Sequence, residues 1–505
     1  LFLFLLNSVI CVRIVSISER YEDIIMKKII TTILASLALC AVFTLSADIT
    51  SAADAVELTP EYATSNGASV YDMTGGSYDT MSTFNSGDTI TISSSTPIAH
   101  LYIAWNNKTV SPWTLTLEDG SAQECGTNGY LHEYVKLDKP STKAVINIKA
   151  DGMKICKLYA FGEGDVPSWV QQWNPPCDEA DILLVSTHAD DEQLFFGGII
   201  PYYAGELGLK VQVAYYTNYW NGANIREHEK LDGLWTVGVR NISVNGDFDD
   251  IYATSLEAAK EVYSYNDTVA FMTELIRRFK PLVLVGQDLN GEYGHGGHMI
   301  TSAAICDAVN VSADAASYPE SADKYGTYDV PKTYLHLYPE NQINLDCRRA
   351  LSRFGGKTVL EVAADGYLQH VSQQWCWFYV SDDYQYSCAK FGLYRSTVGA
   401  DTGNDILENV VTYEEQARIK AEEESSRQAE SESESIAQSI AESEAQSESE
   451  SESAAILAEQ KASSRSRAII TVVIAVVVIV ILLFVYIIVR NNLRNSRRRK
   501  KRKIR

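Results

Sequence analysis

The pattern that most constrains this chain is an alternation of buried strands and amphipathic helices that begins near residue 178. Residues 182–185 form an unbroken apolar run, which is typical of a strand covered on both faces. The same pattern predicts strands at 211–217, 242–245 and 282–286, and helices at 192–205, 226–237, 268–279 and 298–309. Because alternating strands and helices build parallel sheets with right-handed crossovers, we expect a Rossmann-like α/β domain over residues 178–412.

The preceding region, residues 55–165, has a different pattern. Short alternating runs at 89–93, 99–105, 113–117 and 144–150 are separated by turns rich in Gly, Asn, Asp, Ser and Pro. This pattern predicts an all-β unit, and we expect a small β-sandwich that loosely resembles the jelly-roll carbohydrate-binding modules of extracellular enzymes. Its candidate sugar-stacking side chains, for which core packing is the alternative, are Trp105, Trp113, Tyr130 and Tyr134.

The N-terminal region has the order of an export signal. Met26 and two lysines precede an apolar run at 29–45, and small residues follow it. We expect residues 26–53 to be a signal peptide and translation to begin at Met26, so that residues 1–25 are an over-extended reading of upstream sequence. A membrane anchor at this end is the alternative.

Residues 468–489 contain no charged residue and are rich in Val and Ile. As a helix this segment reaches about 33 Å, which is enough to cross a hydrocarbon core of about 30 Å. A basic run follows at 497–503, and such runs stay on the cytoplasmic side. We therefore expect one C-terminal transmembrane helix at 468–489, a cytoplasmic tail at 490–505, and all preceding domains outside the cell.

Residues 414–466 are dominated by Ser, Glu and Ala and contain few large apolar side chains. Because such a composition cannot bury a core, we expect a solvated, disordered stalk with helical patches near 454–461.

The 505 residues have a formal net charge of −22, with an acidic stretch after Glu414, and the basic cluster is confined to the C-terminal tail. Phosphate binding needs clustered Lys and Arg on a folded surface, so we expect no nucleic-acid partner.

Seven cysteines follow the predicted signal peptide, and none forms a Cys-x-x-Cys pair. A thiolate zinc site therefore has no support. The candidate disulfides are Cys376 with Cys388 and Cys125 with Cys156, and the alternative is that these thiols are buried and reduced.

Two polar motifs follow two of the predicted strands. His188, Asp190 and Asp191 follow the strand at 182–186, while His295 and His298 follow the strand at 282–286 after a short loop. In parallel sheets, sites lie at the carboxyl ends of the strands. Imidazole and carboxylate groups are suitable zinc ligands, and a catalytic zinc uses three of them plus water. A remaining carboxylate can serve as base and a remaining histidine as acid.

An acidic pair after a strand is also common in magnesium-dependent phosphatases. That alternative leaves the two histidines of the second motif without a function. The conjunction of both motifs at strand ends therefore favours a zinc hydrolase.

The two motifs resemble the signatures of the PIG-L/LmbE family of zinc-dependent N-acetylglucosaminyl de-N-acetylases. Residues 188–192 match His-Pro-Asp-Asp-Glu with Ala in place of Pro, and residues 293–298 match Tyr-Gly-His-x-x-His. Residues 226–229 resemble an Arg-x-x-Glu element, and residues 370–374 resemble a late His-x-Ser-Gln element. The resemblance is close over about 180–310, looser to about 400, and does not include the all-β unit.

The resemblance implies a role for each matched residue. The zinc ligands would be His188, Asp191 and His298. Asp190 would be the general base, His295 the general acid that protonates the departing amine, and Tyr293 a group that stabilises the oxyanion. Arg226 and His370 are candidates for substrate binding.

Some of these residues have structural alternatives. Arg226 can instead form an i,i+3 ion pair with Glu229. His228, His336 and His370 are expected to be structural rather than catalytic, with His370 the most plausible exception.

Together these patterns predict an extracellular enzyme that removes N-acetyl groups from an amino-sugar glycan. The predicted topology excludes cytoplasmic substrates and favours peptidoglycan, a secreted polysaccharide or another surface glycan. The alternative is a non-catalytic surface glycan-binding protein or adhesin with a relic deacetylase domain.

Overall fold

The computed structural model describes residues 54–454 and 475–482. The chain divides into two units, Leu1–Tyr413 and Glu414–Arg505. The predicted signal peptide, the segment before it and the basic tail lie outside the described residues, as does most of the predicted span at 468–489. Within the part that is described, no helix has the length and apolar character needed to span a membrane.

The all-β prediction for the first region is confirmed, but its strands form one continuous hydrogen-bonded sheet rather than two separate ones. The sheet order is β2-β7-β3-β6-β4-β5, with β1 paired to β3. The strands are β1 (Glu61–Thr64), β2 (Ser82–Phe84), β3 (Thr89–Trp105), β4 (Trp113–Leu117), β5 (Ala122–Cys125), β6 (His132–Asn147) and β7 (Met153–Phe161), and a short helix α1 (Val70–Thr74) precedes β2.

The predicted runs at 89–93 and 99–105 are two halves of the single strand β3. Its pairing with β6 shifts register between Ser93 and Ile98, where the sequence is Ser-Ser-Thr-Pro. A proline cannot donate to the ladder, so the strand is irregular at this point and continues beyond it.

Two of the predicted sugar-stacking residues are instead core residues. Trp105 and Trp113 are fully buried, and both indole N–H groups donate to Glu133 Oε2 at 2.9 Å. Alternation shows which side chains share a face of a strand, but tertiary packing decides which face is covered. Tyr130 and Tyr134 line a surface pocket of this unit and stay candidates.

The parallel-sheet prediction for the second region is confirmed. Five parallel strands have the order β10-β9-β8-β11-β12, and β14 and β13 continue the sheet as antiparallel strands. The strands are β8 (Ile182–Ser186), β9 (Val211–Asn218), β10 (Val244–Asp249), β11 (Val283–Gly286), β12 (Lys332–His336), β13 (Gln342–Asn344) and β14 (Lys390–Ser396). Apolar side chains of β8, β9 and β11 are buried in two clusters, one on each face of the sheet.

The helices of this region are close to the predicted ones with one exception. They are α2 (Asp191–Leu194), α3 (Ile225–Thr236), α4 (Leu256–Val262), α5 (Tyr265–Phe279), α6 (Gly296–Val311), α7 (Pro319–Tyr325) and α8 (Val359–Tyr367). The predicted continuous helix at 192–205 is wrong. Only the short α2 and a π-helical turn at Pro201–Glu206 form there, because Gly197, Gly198 and Pro201 interrupt a regular helix.

The all-β unit and the α/β domain contact each other through buried polar groups. His132 Nε2 lies 2.9 Å from His228 Nδ1, and the two rings stack. The Tyr78 hydroxyl donates to the Asp232 carboxylate at 2.8 Å, and the Gln171 amide donates to it at 2.5 Å. His228 therefore has a structural position at this junction rather than in the candidate site.

The segment after the α/β domain differs from the disordered stalk that we expected. Residues Tyr413–Ala454 form one α-helix, α9. Glu, Ala, Gln, Lys and Arg favour helices by themselves, and Glu415 pairs with Arg418 at i,i+3. Composition correctly indicated the lack of a core, but a helix needs no core where local propensity is high.

The seven described cysteines are free thiols. Neither predicted disulfide is formed. Cys388 instead contacts Cys347, and this thiol contact together with burial holds the pKa of Cys388 well above its ordinary value.

Candidate active site

The strand order places both sequence motifs at one crevice. The order reverses between β8 and β11, which are hydrogen-bonded neighbours. In doubly wound sheets, ligands bind beyond the carboxyl ends of the strands at this point. The residues after β8 therefore meet those after β11, although His188 and His298 are 110 residues apart in the chain.

Three side-chain atoms converge at this crevice. His188 Nδ1 lies 2.9 Å from His298 Nε2, and Asp191 Oδ2 lies 3.1 Å from each of these nitrogens. All three side chains are buried. Two imidazoles and a carboxylate in such proximity are a suitable donor set for one divalent metal ion. The structure thus brings together the three residues to which the resemblance gives the role of ligands.

His295 offers a different combination of donors. The ring nitrogens of His188, His295 and His298 lie within 4.8 Å of one another. However, His295 Nδ1 already accepts a hydrogen bond from the backbone N–H of Gly297 at 3.1 Å. Asp191 is closer to the other two donors and carries a negative charge, so it is the better third ligand.

Two carboxylates that the sequence analysis did not identify orient these histidines. Glu292 Oε2 lies 2.6 Å from His298 Nδ1, and its other oxygen lies 2.9 Å from His336 Nδ1. Asp250 Oδ1 lies 3.3 Å from His188 Nε2. A hydrogen bond at one ring nitrogen fixes the tautomer and leaves the other nitrogen for an ion. Asp250 directly follows β10, so the rule of strand ends would have indicated it if β10 had been predicted at full length.

Asp190 is held in a strained backbone conformation beside the ligands. Its φ angle is 119°, in a region that favours glycine. Its N–H donates to Glu192 Oε2 at 2.7 Å, and the other oxygen of Glu192 lies 2.7 Å from His370 Nε2. His370 is fully buried behind the site. Its ring contacts Glu192 and is not on the pocket wall, which favours the structural alternative, and its role in substrate binding stays a prediction.

Arg226 lies on the pocket wall, as expected for a substrate-binding residue. Its guanidinium is 3.2 Å from Asp190 Oδ1 and 3.5 Å from Asp250 Oδ2. The alternative ion pair with Glu229 is wrong, because Glu229 accepts hydrogen bonds from the Ser372 backbone N–H and hydroxyl at 2.6 Å.

The environment of the site shifts the pKa values of Asp190 and Asp191 in opposite directions. Burial raises the pKa of Asp190 to about 6, against the opposing charge of Arg226. Burial also opposes ionisation of Asp191, but the imidazoles of His298 and His188 outweigh it and hold the pKa of Asp191 well below its usual range. Asp191 is therefore charged at neutral pH, whereas the pKa of Asp190 lies closer to neutral.

His295 has the opposite shift. Burial, and then the charges of His188 and His298, lower the pKa of His295 to about 3. The ring is therefore neutral at pH 7. Since Nδ1 accepts from Gly297, the proton of the neutral ring is on Nε2, the nitrogen left for contact with a substrate.

A pocket of about 270 Å³ opens over these groups. Tyr293 and Phe378 form part of its wall, with ring centroids 4.7 Å apart, and Tyr293 also contacts the His298 ring. Burial raises the pKa of Tyr293, so its hydroxyl stays protonated and can donate a hydrogen bond. The acidic and basic residues of the wall are His188, Asp190, Asp191, Arg226, Asp250 and His295.

Comparison with known proteins agrees with this site. Residues 183–309 match the family model described as PIG-L, GlcNAc-PI de-N-acetylase. This match lies within the α/β domain. The matched residues include both motifs and the strands that carry them, so the sequence resemblance is confirmed for this region.

Two curated relatives are similar to the same part of the chain. Over 179 residues it is 29% identical to 1D-myo-inositol 2-acetamido-2-deoxy-alpha-D-glucopyranoside deacetylase of Rhodococcus erythropolis, with 30% of this chain and 59% of the relative covered. It is 27% identical to a deacetylase of the same description from Catenulispora acidiphila, with 32% and 56% covered. The chain thus spans less than two thirds of either relative.

Among solved structures, the chain is similar to N,N'-diacetylchitobiose deacetylase from Pyrococcus horikoshii. The identity is 17%, the TM-score is 0.32, and the match covers 40% of this chain and 74% of that one.

Proposed function

We propose that this chain is a metal-dependent de-N-acetylase of N-acetylglucosamine-type glycans. The observation that carries the proposal is the convergence of His188 Nδ1, Asp191 Oδ2 and His298 Nε2 within 3.1 Å of one another, beside the Asp190 carboxylate, in a PIG-L domain. Amide hydrolysis needs an activated water, stabilisation of the carbonyl oxygen and a proton for the departing nitrogen.

Zinc is the ion that we propose for this donor set, because two imidazoles and one carboxylate are a common catalytic combination. When bound, it would polarise the acetyl carbonyl and lower the pKa of a water molecule. The carboxylates of Glu292 and Asp250 support the fit, since each holds a ring of a proposed ligand in place.

The protein's own groups supply the proton transfers. Asp190 Oδ accepts the proton of the attacking water, while Arg226 holds the carboxylate in position. Its raised pKa allows Asp190 to return that proton to the departing nitrogen. The resemblance gives the acid role to His295, but burial lowers the pKa of this ring to about 3, which favours a neutral ring. We therefore propose that His295 Nε2–H and the Tyr293 hydroxyl donate hydrogen bonds to the oxygen that becomes negative.

We further propose that the enzyme acts on the outer face of a membrane. This part of the proposal depends on sequence alone: an export signal at 26–53, a charge-free segment at 468–489 and the basic run after it. In that location the substrates are acetylated surface or secreted glycans rather than cytoplasmic metabolites.

The test is acetate release by the full-length chain from N-acetylglucosamine oligomers, together with metal analysis. We expect about one zinc ion per chain, loss of activity with a chelator, and recovery when zinc is restored. Asp190→Asn should lower kcat by at least about 100-fold. Full activity in Asp190→Asn or His188→Ala would contradict the mechanism, and glycan binding without acetate release across a broad panel would favour the non-catalytic alternative.

A further inference from the structure

The segment after α8 exposes an unusual number of large aromatic rings beside the pocket. Trp375 is 82% exposed and Trp377 is 61% exposed. Large aromatic side chains are normally covered in folded proteins, and groups of exposed ones mark binding surfaces. Trp375 is on the wall of the candidate pocket itself, so this surface begins where the proposed substrate binds.

The rings form a continuous path out of the pocket. Tyr293 packs on Phe378 with centroids 4.7 Å apart, and Phe378 stacks on Trp377 at 4.2 Å with the planes inclined by 30°. The path therefore runs from a residue in contact with His298 to a ring that is mostly exposed. We call Trp375, Trp377 and Phe378 the aromatic ledge.

The ledge is fixed although it has no regular secondary structure. At its start, the Gln374 amide donates to the backbone oxygen of Tyr367 at 2.9 Å. Further along, Arg348 donates two hydrogen bonds of 2.9 Å to Asp382, and Cys388 N donates to Ser381 O at 2.9 Å. A surface held at both ends presents its rings without a large entropic cost on binding.

We propose that the aromatic ledge binds the sugars next to the one being deacetylated, so that the substrate is an N-acetylated glycan chain rather than a single amino sugar. The proposal rests on the proposed function. A pyranose ring has one face of C–H groups, which packs on an indole, and hydroxyls at its edge that remain in water. An exposed indole continuous with a polar pocket suits that ligand, because the ring that enters the pocket places its neighbour against the ledge.

The test compares N-acetylglucosamine with its β-1,4-linked pentamer as substrates for the full-length chain. The wild type should have the higher kcat/KM for the pentamer. Trp377→Ala should reduce the ratio of the two kcat/KM values by about 3- to 10-fold, since it removes one stacking ring. Trp377→Phe should retain most of the ratio. Tyr71→Ala, which removes an exposed aromatic ring of α1, is the matched control and should leave the ratio unchanged.

Direct binding separates this proposal from the proposed function. Calorimetric titration with the pentamer should give a Kd about 3- to 10-fold weaker for Trp377→Ala than for the wild type, whether or not acetate is released. Binding without release would leave the ledge in place and contradict the enzymatic function alone. If Trp377→Ala had the same ratio and the same Kd as the wild type, the proposal that the aromatic ledge binds sugars would be wrong.

A membrane or a protein could also cover exposed tryptophans. Quenching of tryptophan fluorescence by brominated lipid, with the full-length chain in phosphatidylcholine vesicles, tests the membrane source, since residues 414–505 contain no Trp. If Trp377→Ala lost this quenching but kept the pentamer ratio and Kd, the sugar assignment would be wrong and the surface would be a lipid contact.

Discussion

Each carboxylate of the site contacts a basic ring, a guanidinium or a backbone N–H that sets its charge and direction. Glu292 joins two histidines, one of them a proposed ligand. The Asp190 carboxylate contacts the Arg226 guanidinium, and the Asp190 backbone N–H donates to Glu192. Because burial makes an unpaired carboxylate costly, these contacts decide which groups are charged at neutral pH.

The pH dependence of kcat/KM should report Asp190. A base must be ionised, and burial raises the pKa of this carboxyl to about 6 before an ion binds, so the fall in activity should lie at or below pH 6. A bound cation moves this limit to lower pH, since it favours the charged form. His295, with a pKa lowered to about 3, should add no limb between pH 6 and 8. Rates over pH 4.5–8.5 test this. A flat profile, or the same limb in Asp190→Asn, would contradict the assignment.

Glu292→Gln should weaken metal binding without changing the size of the side chain. The amide keeps the shape of the side chain but loses the charge that orients the His298 and His336 rings. Loss of such a partner typically costs about 10- to 100-fold in metal affinity. Competition with a chromophoric chelator measures it. Glu124→Gln, at an exposed ion pair with Lys149, is the control, and equal affinities in the two variants would remove Glu292 from the site.

The elements around the site depend on a close approach of α3 and α8. Gly233 of α3 faces the C-terminal end of α8. A Cβ at this position would lie 3.1 Å from the backbone oxygen of Gly366 in α8 and 2.9 Å from Nε2 of His370, which follows the helix. His370 in turn holds Glu192, which holds the Asp190 N–H. Helix packing is thereby connected to the position of the proposed base.

Gly233→Ala should lower both stability and kcat. The added methyl displaces His370, so the free energy of unfolding should fall by about 1–3 kcal/mol, as for other overpacked interiors. Denaturant unfolding and acetate release measure the two effects. Gly222→Ala is the matched control, because a Cβ there meets nothing within 4 Å. A stable Gly233→Ala with normal kcat would show that the α3–α8 contact does not position Asp190.

At the scale of the whole molecule, the all-β unit and the α/β domain belong to one compact unit. The junction contains a stack of Tyr78 on His228, with centroids 4.2 Å apart, and the hydrogen bonds to Asp232. Partly buried polar contacts of this kind are specific, because each group needs its partner to offset the loss of water. We therefore expect both regions to unfold together.

Tyr78→Phe should destabilise the unit as a whole. It removes a hydrogen bond to a carboxylate, which typically contributes about 1.5–3 kcal/mol. Far-ultraviolet dichroism and tryptophan fluorescence should shift together in denaturant. Tyr71→Phe, at an exposed position, should cause no shift. Two separate transitions, only one of which moves, would show that the regions are independent.

The sequence by itself determined the fold class of the α/β domain and the position of the candidate site. The motifs 188–192 and 293–298 and the strands before them are local patterns, and the rule that parallel strands present their carboxyl ends at one edge was enough to place them together. Two predictions from local patterns were wrong. The helix at 192–205 is interrupted by glycines, and Tyr413–Ala454 is helical because its residues have strong helix propensity.

Only the tertiary structure decided the contacts between distant residues. It buried Trp105 and Trp113, placed His370 behind the site, and brought Asp250 and Glu292 against the proposed ligands. These outcomes depend on which faces of strands and helices meet across long stretches of chain. Periodicity shows whether a face is polar or apolar, but not which element packs against it. The packing partner decides the burial, the charge state and the orientation of each side chain.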